Sequence, residues 1–358
     1  MSILSRRQFM ASTALAAAVA ATSGLFSSRA ALAEKLPGAG TVFTADEHGN
    51  SLSSVSLATG RVTVTPIPIA PHNVQITADG GRLLAVGSPG MDDHGHNAAH
   101  GAESGAEANG RLLILDASDP AAGLVADIEV GPHPAHVVAE RAGKRAFVTN
   151  AGDNTVSVVD LDRKTVVKTI GTGLYPHGLR MSPDGKEVYV ANVESGSVSI
   201  LDAQNMTELA RIPVGKAPVQ VGFTPDGKRV YVSLRDENAV AILDVATRKV
   251  LKTVAVGPNP IQLHATPDGR FVYVANQGTE DRPADHVSVI DTATEKVVAT
   301  IRTGMGAHGV SVSQDGAFVF VTNIVDATVS AIAVRSQTVV ATYSVGRGPN
   351  GITYRPEP

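Results

Sequence analysis

The chain carries 11 histidines against 6 tyrosines and 6 methionines, with no cysteine or tryptophan. Imidazole offers a neutral nitrogen lone pair near pH 7, which suits a borderline cation such as Zn²⁺, Cu²⁺ or Ni²⁺, or general-base work. One group of histidines opens apolar runs just past a proline or small residue: His72, His136, His177 and His308. A second lies in the segment PGMDDHGHNAAHGAESGAEANG over 89–110, where His94, His96 and His100 follow Asp92 and Asp93. H-x-H alone is a weak motif. With a third histidine four residues on and two flanking aspartates it becomes a sensible set of N/O ligands. Zero cysteine excludes zinc fingers, iron–sulfur clusters, c-type haem attachment and thiol nucleophiles, and it argues against a dedicated Cu(I) site. A net charge of −4 gives no electrostatic footprint for nucleic acid.

The elements that position these residues repeat. Asp-Gly or a near equivalent recurs at Gly80, Gly143, Gly185, Gly227, Gly269 and Gly316, with spacings of 63, 42, 42, 42 and 47 residues. Asp-Gly between alternating apolar runs signals a hairpin, because glycine accepts the positive φ of the tight turn. Each unit of about 42 residues reads as four strands, a to d. Strand a follows a proline and ends at the Asp-Gly turn. Strand b is the run VYVAN at 188–192 and 272–276, with FVTN at 147–150 and 320–323. Strand c is SVSILD-like and ends near Asp116, Asp160, Asp202, Asp244 or Asp291, which read as turn formers rather than catalysts. Strand d is KVVATI-like and ends in glycine.

These repeats resemble the YVTN family of β-propellers, of the nitrous-oxide-reductase type, over essentially all of 41–358. Seven copies of strand a start at His72, His136, His177, Val219, Ile261, His308 and Asn350. The chain begins with strands b, c and d and ends with a lone strand a. The expected fold is therefore all-β, a seven-bladed β-propeller closed by pairing the N-terminal strands with the C-terminal one. In that fold the starts of strand a and the b–c loops share one face, which would hold ten of the 11 histidines and leave His264 further down a strand. Val74, Val137, Leu179, Val221, Leu263, Val310 and Ile352 should pack between sheets. Their neighbours, among them Asn73, His136, Gln220, Gln262, Arg180 and His264, should face a polar, partly basic channel whose strands supply no Asp or Glu. The 21-residue excess in the first interval is then a flexible b–c insertion above the mouth, and 277–286 a solvated acidic loop.

The N-terminus reads as an address. Ser5–Met10, SRRQFM, resembles a twin-arginine export signal; an Ala-rich segment and the small-residue site Ala31-Leu32-Ala33 follow. Cleavage after Ala33 removes Arg6, Arg7 and Arg29 and no acids, taking the net charge from −4 to −7. The mature domain, 34–358, is then a periplasmic monomer without a membrane span.

Three functions compete. The first is metal binding, with zinc ahead of Cu(II), through His72, His136, His177 and His308 at the mouth and His94, His96 and His100 on the loop. Its partner would be a periplasmic metal-receiving or membrane transport protein. The resemblance supports this by architecture: similar propellers include nitrous oxide reductase, whose copper cluster is held by propeller histidines, and periplasmic zinc chaperones with His-rich loops. The second is a propeller-type enzyme, lactonase-like or similar to a d1-haem domain, with His136, His264 and Arg180 as candidate groups. The third is an interaction scaffold with no small ligand.

Overall fold

A computed structural model describes Leu36 and residues 40–89 and 108–357. The twin-arginine segment and His94, His96 and His100 lie outside the described residues. No helix among those described is long and apolar enough to cross a membrane. Twenty-eight strands, β1 to β28 in chain order, form seven four-stranded antiparallel sheets. The innermost strands are β4 (Ile69–Ile76), β8 (Pro134–Ala139), β12 (Pro176–Met181), β16 (Pro218–Phe223), β20 (Pro260–Ala265), β24 (Ala307–Val312) and β28 (Pro349–Pro356). Each touches the next, and β28 touches β4, so the ring is complete. This is a seven-bladed β-propeller.

Closure is made by two distant pieces of chain. β28 pairs antiparallel with β1 (Gly40–Asp46), from Gly40 opposite Pro356 to Asp46 opposite Pro349. β2 (Ser51–Ser56) and β3 (Val62–Pro66) complete that blade. A sheet edge that would otherwise offer free N–H and C=O groups is thereby paired.

The local chemistry follows the repeat. The turn glycines hold φ between +65° and +74°, as at Gly143 and Gly185, a region closed to most L-residues. Before the five Asp-Gly turns a hydroxyl donates to the turn aspartate, as from Thr224 Oγ1 to Asp226 at 2.6 Å. The aspartates ending strand c accept backbone N–H groups of their own turns, Asp160 from Asp162 and Arg163, and Asp202 from Gln204 and Asn205. The core lies between blades. Val221 packs with Tyr189, Val198 and Ile200 of the preceding sheet, and Ile352 with Phe320 and Val329. The region 277–286 is an extended hairpin in which Gly278 pairs with Pro283.

The upper axis differs from the expected open channel wall. Asn73, His136, Gln220 and Gln262 are all at most 3 % exposed. A Cβ on Gly178 would come within 2.4 Å of Val219 O, and one on Gly309 within 2.5 Å of Asn350 O. Seven strands meeting at one axis pack directly on each other here, so side-chain alternation alone does not decide what is solvated. A chain ending at residue 348 lacks β28, which exposes one edge of β1 and removes the strand that packs between β24 and β4. It should be recovered only as insoluble material; a soluble product with cooperative unfolding would show that closure is dispensable.

Candidate functional site

At the top of the axis the blades place their mouth residues by a common device. The residue before six of the seven inner strands takes positive φ: His133, Tyr175, Ala217, Asn259 and Gly348 each precede a proline and Gly306 precedes Ala307, while β4 lacks the kink. That kink turns the chain from the outer strand down the axis. A hydroxyl from the second strand then clips neighbouring blades together. Thr149 Oγ1 accepts from His136 N at 2.9 Å and donates to His177 O at 2.7 Å. Ser233 bridges Gln220 N and Ile261 O in the same way, and Thr322 bridges Gly309 N and Asn350 O.

Three consecutive blades bring His72, His136 and His177 together, with one ligand nitrogen from each lying within 4.8 Å of the other two. Ring centroids are 4.9 Å apart for His136–His177, 5.1 Å for His72–His177 and 5.8 Å for His72–His136. His177 Nδ1 lies 3.2 Å from Val219 O, an atom that can only accept, so Nδ1 carries the proton and Nε2 keeps its lone pair. His72 Nδ1 lies 3.2 Å from Glu47 Oε1, which favours a proton there, and 3.1 Å from the Asn350 amide nitrogen, which favours a lone pair. The two Nε2 atoms then face each other at 3.1 Å. Two lone pairs at that distance repel unless a proton or a cation lies between them. Beside them His136 is fully buried, and neither ring nitrogen has a hydrogen-bond partner.

Glu47 was not apparent as a site residue from the sequence. It comes from a single 3₁₀ turn, Glu47–Gly49, between β1 and β2. Its other carboxylate oxygen accepts from the Asn350 amide. The inner strands indeed carry no acid, yet this loop delivers one to their mouth. The signal was the sequence DEH at 46–48 in a b–c turn, where only His48 stood out. His308 does not join the triad. Its Nδ1 lies 3.2 Å from Asn350 O, tying it to the closing blade next door. Of the remaining described histidines, His48, His133 and His286 lie on the same face, and His264 lies lower on β20. The segment bearing His94, His96 and His100 joins β5 (Arg82–Pro89) to β6 (Asn109–Asp116). Gly87 of β5 pairs with Pro71, and a Cβ there would strike Ala70 O at 1.9 Å. The insertion therefore departs beside the strand that carries His72.

Electrostatics divide these rings. Burial holds His136 well below the ordinary imidazole value, and neighbouring His177 and His72 add to the effect. Burial, then His72, lowers His177 to about 3 and His308 to about 4. Burial and Arg180 lower His264 to about 4. His72 is the exception: burial opposes its charge, but the carboxylate of Glu47 outweighs burial and raises it. Burial likewise works against the charge of Glu47, yet His72 and the bond from Asn350 bring it down to about 2. Next to it, burial raises Asp46 to about 6 despite hydroxyl bonds from Ser53, Thr44 and Ser51.

Two family models match parts of the chain: the cytochrome D1 heme domain over 231–347 and a YNCE-like beta-propeller over 122–206. No curated protein matches the chain. Among solved structures, hydrazine synthase of Kuenenia stuttgartiensis is 23 % identical, covering 79 % of this chain and 89 % of that one, with a TM-score of 0.65. A putative 6-phosphogluconolactonase from Bacteroides fragilis is 16 % identical, covering 90 % and 99 %, with a TM-score of 0.71. A functionally unknown protein from Desulfotomaculum acetoxidans is 14 % identical, covering 88 % and 99 %, with a TM-score of 0.70. At these identities the likeness is one of fold, and it agrees with the β-propeller described above.

The pKa pattern fixes a pH dependence. His136, His177, His264 and His308 take protons less readily folded than unfolded, so acidification favours the unfolded chain from about pH 6.5 downward. The stability they contribute above pH 6.5 is lost as pH falls towards their folded values near 4 and 3. His72 and Asp46 are raised and run the other way, two groups against four. The melting temperature of metal-free protein should therefore fall between about pH 6.5 and 4.5, before most carboxylates titrate. A flat profile over that window would contradict the burial of the neutral rings.

Proposed function

We propose that this propeller binds zinc, or in second place Cu(II), through His72, His136 and His177 and passes it on. The observation that carries the reading is the pair of imidazole Nε2 atoms facing each other at 3.1 Å beside a buried, unbonded His136. Tetrahedral zinc with Zn–N bonds of ~2.0–2.1 Å separates its ligand nitrogens by about 3.3 Å, so the His72–His177 spacing needs almost no adjustment. Turning the ring of His136 breaks no side-chain hydrogen bond. Glu47 and Val219 O hold the far nitrogens of His72 and His177, the outer-shell arrangement that fixes a ligating tautomer and raises its basicity.

Because Glu47 favours protonated His72, the ion competes with a proton for the same Nε2. Acid then releases the metal, as fits a carrier better than a permanent structural site. His94, His96 and His100 would capture the ion weakly and hand it to the triad below, and His308 lies one blade beyond as a neutral neighbour. Export by the twin-arginine route would put this exchange in the periplasm, with a metal-receiving or membrane transport protein as partner. In a lactonase-like enzyme the base would have to be the half-buried His264, because His136 is fully buried.

Zinc titration of four proteins tests this: wild type, a deletion of 92–108, Glu47→Gln, and His72/His136/His177→Ala. The tight site should survive the deletion, weaken about 10–100-fold in Glu47→Gln and vanish in the triple variant. Equal binding by all four, or no stoichiometric binding by wild type at pH 7.5, overturns the reading and leaves a scaffold.

A further inference from the structure

Below the triad the axis has a different character. Arg180 on β12 donates from one guanidinium nitrogen to the backbone carbonyl of Leu179, and no carboxylate among the described residues pairs with it. Glu47, the acid that reaches the axis, is committed at the top to His72 and Asn350. The next two inner strands add more uncommitted donors. Gln220 on β16 has its Oε1 fixed by an accepted bond from Val221 N, so its Nε2 must be the amide donor, and that donor is buried without a partner. Gln262 on β20 has an unpartnered Nε2 as well, and both residues are at most 1 % exposed. Two residues below Gln262, His264 Nδ1 is buried and unpartnered. Between Arg180 and His264 at the same level stands Gly222, where a Cβ would meet Leu263 Cδ1 at 2.5 Å, so no side chain comes from β16 here.

A buried amide N–H without an acceptor costs about 1–3 kcal/mol. Arg180, whose charge is felt at His264, and the two unpartnered amides offer donors to a ligand, with Asn73 Oδ1 an unpartnered acceptor in the layer of the glutamines. We propose that this lower part of the axis binds a small oxyanion of the phosphate, sulfate or carboxylate class, anchored on Arg180 and completed by Gln220, Gln262 and His264. A guanidinium meets two oxygens of such an anion in parallel, which a single-point cation does not. Arg180 and His264 are half-buried while the glutamines above are closed off, so the ligand enters from the face opposite the histidine triad. The site is independent of the metal reading.

Isothermal titration of metal-free protein at constant ionic strength in chloride tests it, with inorganic phosphate in one arm and acetate in the other. The same titrations on the His72/His136/His177→Ala protein separate this site from the metal site. Saturable binding near one anion per chain is expected in both proteins. A stronger response to phosphate marks a tetrahedral ligand, and a stronger response to acetate a carboxylate. Arg180→Gln should weaken binding about tenfold or more, the scale of one charge-assisted hydrogen bond. Arg180→Lys keeps the charge without the fork and Gln262→Leu removes one donor; both should weaken binding as well and stand in if Arg180→Gln does not fold. No saturable heat from either anion in wild type, or wild-type affinity in the folded Arg variants and in Gln262→Leu, would overturn the proposal.

Discussion

The pairing of β28 with β1 is the contact on which the remaining architecture depends. It joins residues some three hundred positions apart into one sheet and so forces seven inner strands around a single axis. The histidine site straddles that joint. Glu47 follows β1, Asn350 opens β28, and His72 belongs to the first blade beyond the closure. A ring left open would separate the carboxylate from the imidazole it orients. The hydroxyl clips of Thr149, Ser233 and Thr322 then lock neighbouring inner strands at the level of the mouth, fixing where His136 and His177 stand.

Crowding at the axis sets the chemistry. Burial keeps His136, His177, His264 and His308 neutral, the state in which imidazole can ligate. One carboxylate, from one short turn, reverses that preference for His72 alone. Among the described residues no such carboxylate pairs with Arg180 on the lower axis, and Gln220, Gln262 and His264 of the next two inner strands carry unpartnered nitrogens. On the two proposals made above, the ends of the axis would take ions of opposite sign, a cation on imidazole nitrogens above and an anion on N–H groups below.

Much of this was legible in the sequence, because the repeat writes its own geometry. The Asp-Gly spacing located every turn that joins an inner strand to the second strand of its blade, and the surplus strand a at the C-terminus announced the closure. The apolar position at Val74, Val137 and their equivalents packs between sheets as its alternation implied. The convergence of His72, His136 and His177 followed from their places on three successive inner strands. Glu47 was not legible: its approach to His72 depends on how a 3₁₀ turn of the closing blade leans over the axis, and no periodicity encodes that. Nor was the sealing of the upper axis, which arises from Gly178, Gly309 and Gly351 letting backbones approach, whereas strand parity reports only the direction of a side chain.

X-ray absorption at the zinc edge, on protein lacking 92–108 and loaded with one equivalent of zinc, tests the central claim most directly. The account predicts a nitrogen/oxygen shell at ~2.0–2.1 Å with the outer-shell scattering of about three imidazoles. An oxygen-dominated shell with one imidazole or none would show that the triad is not where the ion binds.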